Sequence, residues 1–202
     1  MLAGITLSGK WAKRFGSEDP RSFEFEPGVN LLIGPNGSGK SSILAAVMDA
    51  AGQSRRGEEK TGIDVRLVAG KGKFTVKKFD FEKQNPRVQS SLFGDEGAFM
   101  FQVGSMFRSH GEANRALGSG LLALDGVRDA LILFDEPDQA LDFDGVGELI
   151  EALKKCPARQ VLVAVHHPRI ICLEDFNCIE MVKGYRDKVR LEMLRIVGGD
   201  VV

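Results

Sequence analysis

The stretch Val29-Asn30-Leu31-Leu32-Ile33-Gly34-Pro35-Asn36-Gly37-Ser38-Gly39-Lys40-Ser41-Ser42 decides the fold: an apolar run turns through glycines into a lysine and two serines. Gly34, Gly37, Gly39, Lys40 and Ser41 fall on the phosphate-loop pattern GxxxxGK[ST]. In such a loop the backbone N–H groups converge on phosphate oxygens, which calls for positive φ angles and open space where a Cβ would sit. Lys40 then reaches the β- and γ-phosphates of a nucleotide and Ser41 ligates Mg²⁺. Pro35, Asn36, Ser38 and Ser42 complete the nucleotide-binding segment. The pattern requires a strand before it and a helix after it. Residues 29–33 supply the first, and Ile43-Leu44-Ala45-Ala46-Val47 supplies the second, within a helix expected over 40–51.

Composition bounds the rest. At 202 residues the chain fits one domain, 1–202, with room for a full core. A net charge of −1 gives no global field toward nucleic acid or membrane and leaves only local basic patches to consider. Cys156, Cys172 and Cys178 are odd in number and lack CxxC spacing, which suits a reducing compartment better than a disulfide framework. Cys172 and Cys178 follow His166 and His167, but the spacing matches no compact zinc site. No segment approaches the roughly 18 apolar residues of a membrane helix, so a cytoplasmic protein without membrane insertion is expected.

Outward from the loop, Ile5 and Leu7 suggest a short strand, and Phe23 and Phe25 alternate with Glu24 and Glu26 as a half-buried strand does. Trp11, the only tryptophan, and Phe15 compete for any adenine-stacking role, with ordinary packing the simpler reading of both. Residues 63–69 and 73–81 read as a hairpin turned by Gly70-Lys71-Gly72, its apolar positions being Phe74, Val76, Phe79 and Phe81. Lys71, Lys73, Lys77 and Lys78 make it basic: a solvated edge that resists aggregation, or a surface for nucleic-acid phosphates. Residues 178–182 and 188–194 read as a second hairpin at the C-terminus.

The other decisive stretch is Leu131-Ile132-Leu133-Phe134-Asp135-Glu136-Pro137-Asp138-Gln139-Ala140-Leu141-Asp142, an apolar strand ending in two adjacent acids. A buried strand that delivers Asp135 at its C-terminal edge places a carboxylate where it can hold a water of the Mg²⁺ shell. Glu136, one residue on, is positioned to polarise an attacking water as general base. The helix that follows reads as amphipathic, with Asp144 as N-cap.

GPNGSGKSS together with LILFDEPxxALD resembles the ABC-type ATPase family, its soluble SMC-like branch rather than transporter subunits. The resemblance implies an α/β phosphate-loop fold with a parallel core sheet, flanking helices and an N-terminal antiparallel β layer, and it implies ATP and Mg²⁺ as cofactors. It also implies a site shared by two subunits. Ser109-His110-Gly111-Glu112 is similar to the family's signature segment, so Ser109, Gly111 and Glu112 are expected to cap the partner's ATP; Ser109 with Glu112 also satisfies a capping box. His166, at the end of the apolar run 160–165, matches the γ-phosphate histidine, and Asp142 matches the aspartate of the subunit-facing loop. Gln102 matches the family glutamine of the metal shell. Only residues 103–108 separate it from Ser109, so the helical lobe that docks transporters onto membrane subunits is reduced to a loop.

No NKxD segment supports a GTPase, and no arginine-bearing lid supports a small-molecule kinase. The expected C-terminal strands argue against motors with a helical C-terminal lid. The expected activity is Mg²⁺-dependent ATP hydrolysis by an ATP-sandwiched homodimer acting on DNA or a protein effector. The alternatives are the ATPase subunit of an ABC transporter and a binding module that holds ATP without turnover.

Overall fold

A computed structural model describes residues 1–9, 12–13, 20–51, 63–67, 75–80 and 130–198. Two sheets organise them. β1 (Leu2–Leu7) lies between β2 (Arg21–Glu24) and β4 (Ile63–Leu67), antiparallel to both. The other five strands form a parallel sheet in the order β5 (Thr75–Asp80), β6 (Ala130–Asp135), β7 (Gln160–Ala164), β3 (Gly28–Ile33), β8 (Asn177–Glu180). This is the expected α/β architecture, with a parallel core and an antiparallel layer.

Alternation along the central strands divides the core in two. Leu31, Ile33, Ile132, Phe134, Val161 and Val163 face one way, toward Val146, Leu149 and Ile150 of helix α2 (Phe143–Lys154) and Ile170 and Ile171 of the short helix α3 (Pro168–Ile171). Leu32, Leu131, Leu133 and Leu162 face the other way, against Ile43, Leu44 and Val47 of helix α1 (Lys40–Ala50) and against Leu2, Ile5, Leu7, Phe23 and Phe25 of the antiparallel layer. Each large aliphatic side chain buried here contributes about 1.5–3 kcal/mol of transfer free energy. Gln160 joins the two sheets: its buried amide donates to Leu2 O and Glu26 O and accepts from Leu2 N, each at 2.9 Å.

Three expectations are corrected. β4 and β5 are not a hairpin: β4 pairs with β1, whereas β5 runs parallel to β6 in the core sheet. Alternation assigns a strand its faces but not its neighbour. All six residues of β6 are buried, and β5 covers the edge that β7 leaves open. The turn expected at residues 70–72 lies outside the described residues.

The C-terminus is not a hairpin either. After β8 comes helix α4 (Tyr185–Ile196), which removes the argument against motor ATPases that rested on C-terminal strands. Arg, Lys, Leu, Glu and Met dominate that segment and favour a helix, while Tyr185 and Val189, four residues apart, meet the core. The helix starts at Gly184 (φ 76°), whose N–H donates to Glu180 Oε2 at 2.6 Å, while Arg186 N donates to Glu180 Oε1 at 3.1 Å.

Finally, α2 is capped by Asp142 rather than Asp144: Asp142 Oδ1 accepts from Gly145 N at 2.7 Å. Asp142 has the extended backbone of an N-cap, and Asp144 already lies in the first turn. Among the described residues no helix is long and apolar enough to cross a membrane.

Candidate nucleotide site

The site forms at the C-terminal ends of β3, β6 and β7, adjacent strands of a parallel sheet, where open α/β folds place their ligands. β3 runs into residues 34–39 and then α1. A Cβ on Gly34 would come within 2.7 Å of Ser38 Oγ and 2.8 Å of Met181 Cβ, so only glycine lets the loop fold so tightly. Gly39, at φ 91°, is the N-cap of α1 and provides no capping side chain, which leaves the helix N–H groups directed outward.

Lys40 is buried and bends back over the loop, donating to Gly34 O at 2.9 Å and Pro35 O at 3.3 Å. Burial lowers its pKa from the usual lysine value, against the opposing pull of Glu136, Asp138 and Asp135. Ser38 Oγ is buried without a hydrogen-bond partner among the described residues. A loop that holds an ammonium on neutral carbonyls and leaves a buried hydroxyl unmatched fits a polyanionic ligand.

β6 ends in Asp135, whose Oδ1 accepts from Ser41 Oγ at 2.9 Å. A hydroxyl and a carboxylate held together supply hard oxygen donors, which fits a magnesium site. Glu136 then leaves the strand in the left-handed region (φ 55°), although its N–H still donates to Ala164 O of β7 at 3.0 Å. A non-glycine residue there costs about 1–2 kcal/mol. In place of the alternation that would direct Glu136 away, the turn brings it to the same cleft, where Oε1 lies 2.9 Å from His166 Nε2. Gly37, Gly39, Lys40, Ser41, Ser42, Glu136 and His166 line this cleft of about 150 Å³.

The chain belongs to the AAA domain family AAA_23. The family match covers residues 12–121, more than half of the chain. This AAA_23 member is 42% identical over 52 residues to the chromosome partition protein Smc of Mycolicibacterium paratuberculosis, 26% of this chain and 4% of that protein. It is 46% identical over 46 residues to the DNA double-strand break repair Rad50 ATPase of Archaeoglobus fulgidus, 23% of this chain and 5% of that protein. A longer match, 28% over 149 residues, joins 66% of the chain to 12% of the Smc protein of Rhodopseudomonas palustris. The chain thus spans 4–12% of the length of these relatives. A solved ATP-binding protein of Pyrococcus furiosus assigned to the ABC transporters superposes with a TM-score of 0.47 at 15% identity, over 89% of this chain and 98% of that one. The family match and the Smc and Rad50 matches agree with the SMC-like phosphate-loop ATPase kind that the two long motifs point to.

Gly34–Ser42, Asp135, Glu136 and His166 come together. Ser109, Gly111, Glu112 and Gln102 lie outside the described residues, as do Trp11 and Phe15. Asp142 caps α2 from the loop after β6. His167 is the N-cap of α3, its Nδ1 accepting from Arg169 N at 3.2 Å. Burial pushes the Cys178 thiol up to about 11, opposite to the shift of a zinc-binding thiolate.

Two residues have a part in the site that the sequence alone does not indicate. Asp138 is buried, and its Oδ2 accepts from His166 N at 2.7 Å and His167 N at 2.6 Å, fixing the end of β7 against the turn after β6. Local sequence gives no signal for this, because the partners lie 28 and 29 residues away. Lys78 was grouped with the basic hairpin, yet its Nζ lies 3.0 Å from Asp135 Oδ2 and it is largely buried. That pairing removes it from the proposed nucleic-acid surface, of which Lys71 and Lys73 lie outside the described residues.

Proposed function

We propose that this domain binds ATP with Mg²⁺ in the cleft, hydrolyses it, and works as an ATP-sandwiched homodimer built from one 1–202 domain per subunit. The convergence of Lys40, Ser41 and the Glu136–His166 pair on one cleft, with Asp135 hydrogen-bonded to Ser41 behind it, carries this reading. Lys40 exchanges two carbonyl acceptors for phosphate oxygens, a gain in hydrogen-bond strength because both partners are then charged. Ser41 and, through water, Asp135 would hold Mg²⁺, with Gln102 completing its shell; when bound, the cation neutralises charge on the phosphates. Glu136 accepts the proton of the attacking water. His166 orients that carboxylate and, by the resemblance, contacts the γ-phosphate.

Ser109, Gly111 and Glu112 complete the partner's site, and Asp142 lies on the loop facing that partner. ATP is then the adhesive of the interface, and hydrolysis releases it. The relatives named for chromosome partition and DNA double-strand break repair favour coupling to DNA, directly or through a protein effector. Free thiols at Cys156, Cys172 and Cys178 support a cytoplasmic setting.

Glu136→Gln tests the sandwich. It removes the base and one negative charge beside the triphosphate, so with saturating Mg-ATP at tens of micromolar protein it should scatter light as a dimer, and with ADP as a monomer. Adding Ser109→Arg should restore the monomer without loss of ATP affinity. A Glu136→Gln protein that stays monomeric refutes the homodimer.

A further inference from the structure

Lys78 is an unexpected residue for its place. It shares a face of β5 with Val76, which packs in the core beneath α1, and register sets it beside Leu133, which faces the same way. An ammonium directed there requires a partner, since burying a charge without one is costly. Asp135, on the same face of β6 two residues beyond Leu133, provides it at 3.0 Å. The carboxylate is thereby engaged on both oxygens: Oδ1 accepts from Ser41 and Oδ2 faces Lys78. Asp135 is 5% exposed, which leaves little water to screen either contact.

We propose that Lys78 is an internal competitor of the divalent cation for Asp135, and so raises the metal concentration needed for tight nucleotide binding. The inference rests on the reading of Ser41 and Asp135 as the metal-holding pair. A cation drawn to that pair meets a carboxylate whose charge Lys78 already offsets, and it brings two positive charges close to the ammonium. Either the cation binds more weakly or Lys78 leaves Asp135. Both outcomes make metal affinity depend on a side chain that need not touch the metal, and both tie metal occupancy to β5.

The test is a titration of fluorescent ATP-analogue binding to the full chain with Mg²⁺, repeated with Mn²⁺ counted by electron paramagnetic resonance. Lys78→Gln should lower the metal midpoint about five- to tenfold, the scale of one like charge a few ångströms away and partly screened. Its nucleotide affinity in EDTA should match the wild type. The same variant should melt about 2–4 °C lower without ligand, because Asp135 loses its counter-charge. Lys78→Arg keeps the charge and pairs more firmly with the carboxylate, so its midpoint should equal or exceed the wild-type value; it serves as the readout should Lys78→Gln not fold. In an Asp135→Asn background the Lys78→Gln shift should vanish.

An unchanged midpoint in Lys78→Gln, or a lower one in Lys78→Arg, overturns the inference while the site reading stands. A loss of affinity in EDTA overturns it in favour of Lys78 as a phosphate ligand. A wild type whose nucleotide binding ignores metal overturns the site reading, and this inference with it.

Discussion

The two walls of the cleft are built on different principles. The phosphate-loop wall is one contiguous segment whose function lies largely in its main chain, with N–H groups set by glycine conformations and a helix terminus behind them. The acid–histidine wall is assembled from two strands whose register places Asp135 beside Ala164, so that Glu136 and His166 meet from positions 30 residues apart. On the proposed reading, binding in the first wall is spread over several backbone donors. In the second, the proposed roles of Glu136 and His166 rest on single side chains, so substitutions of these two should reach rate rather than affinity.

Glu136→Gln should give the largest effect. It preserves the side chain's size and removes the proton acceptor, so steady-state turnover should fall by about 10²–10⁴ while ATP affinity by calorimetry is kept or improved. Lys40→Ala should do the reverse, weakening ATP binding about ten- to hundredfold through the loss of one charge-assisted contact worth about 1.5–3 kcal/mol. If Glu136→Gln turned over at the wild-type rate, or if Lys40→Ala bound Mg-ATP as tightly as the wild type, the division of labour between the walls would collapse.

The loop wall was legible because its chemistry is a spacing within one segment. Gly34, Gly39, Lys40 and Ser41 identify themselves by pattern, and the strand and helix around them follow from apolar period. Asp135 and Glu136 were legible for the same reason. What joins the walls was not: Asp138 reaches His166 and His167 only because β6 and β7 are neighbours, and Lys78 reaches Asp135 only because β5 takes the other side of β6. The missed helix α4 has a related cause. Residues 177–180 do form a strand, and the expectation of a hairpin carried the strand reading past Gly184, where Glu180 turns the chain into a helix instead.

Asp138 offers the next and smaller effect. Removing its carboxylate in Asp138→Ala leaves the N–H groups of His166 and His167 without their acceptor, at about 1–3 kcal/mol for each group that stays buried and unmatched. His166 then loses its fixed position beside Glu136. Turnover should fall about tenfold, within the range that small misplacements produce, while ATP affinity should change less than about twofold because no loop contact is touched. Asp138→Asn retains an acceptor oxygen and should recover most of the rate, which separates positioning from loss of charge. A fall in affinity equal to the fall in rate would show that the walls are coupled rather than divided.

Gln160 lies at the opposite end of β7 from His166 and tests whether distance along that strand insulates the site. Its amide makes three hydrogen bonds at 2.9 Å, all to the backbone of Leu2 and Glu26, and it is 1% exposed. Gln160→Leu keeps comparable bulk but leaves Leu2 N, Leu2 O and Glu26 O to find other partners. The loss should be about 1–3 kcal/mol, the cost of leaving a buried polar group unmatched. For a domain of this size that lowers the melting temperature by about 2–10 °C. Turnover per folded molecule should nonetheless stay within about twofold, because additivity holds for sites well separated in space and the paired residues Val161 to Ala164 of β7 lie between Gln160 and His166. The measurement is a melting curve and an ATPase assay on the same preparation, run well below the transition. A Gln160→Leu protein that melts normally would show that the amide does not join the sheets. One that folds but turns over tenfold more slowly would show that the far end of β7 sets the position of His166, and the acid–histidine wall would then have to be redrawn to include the antiparallel layer.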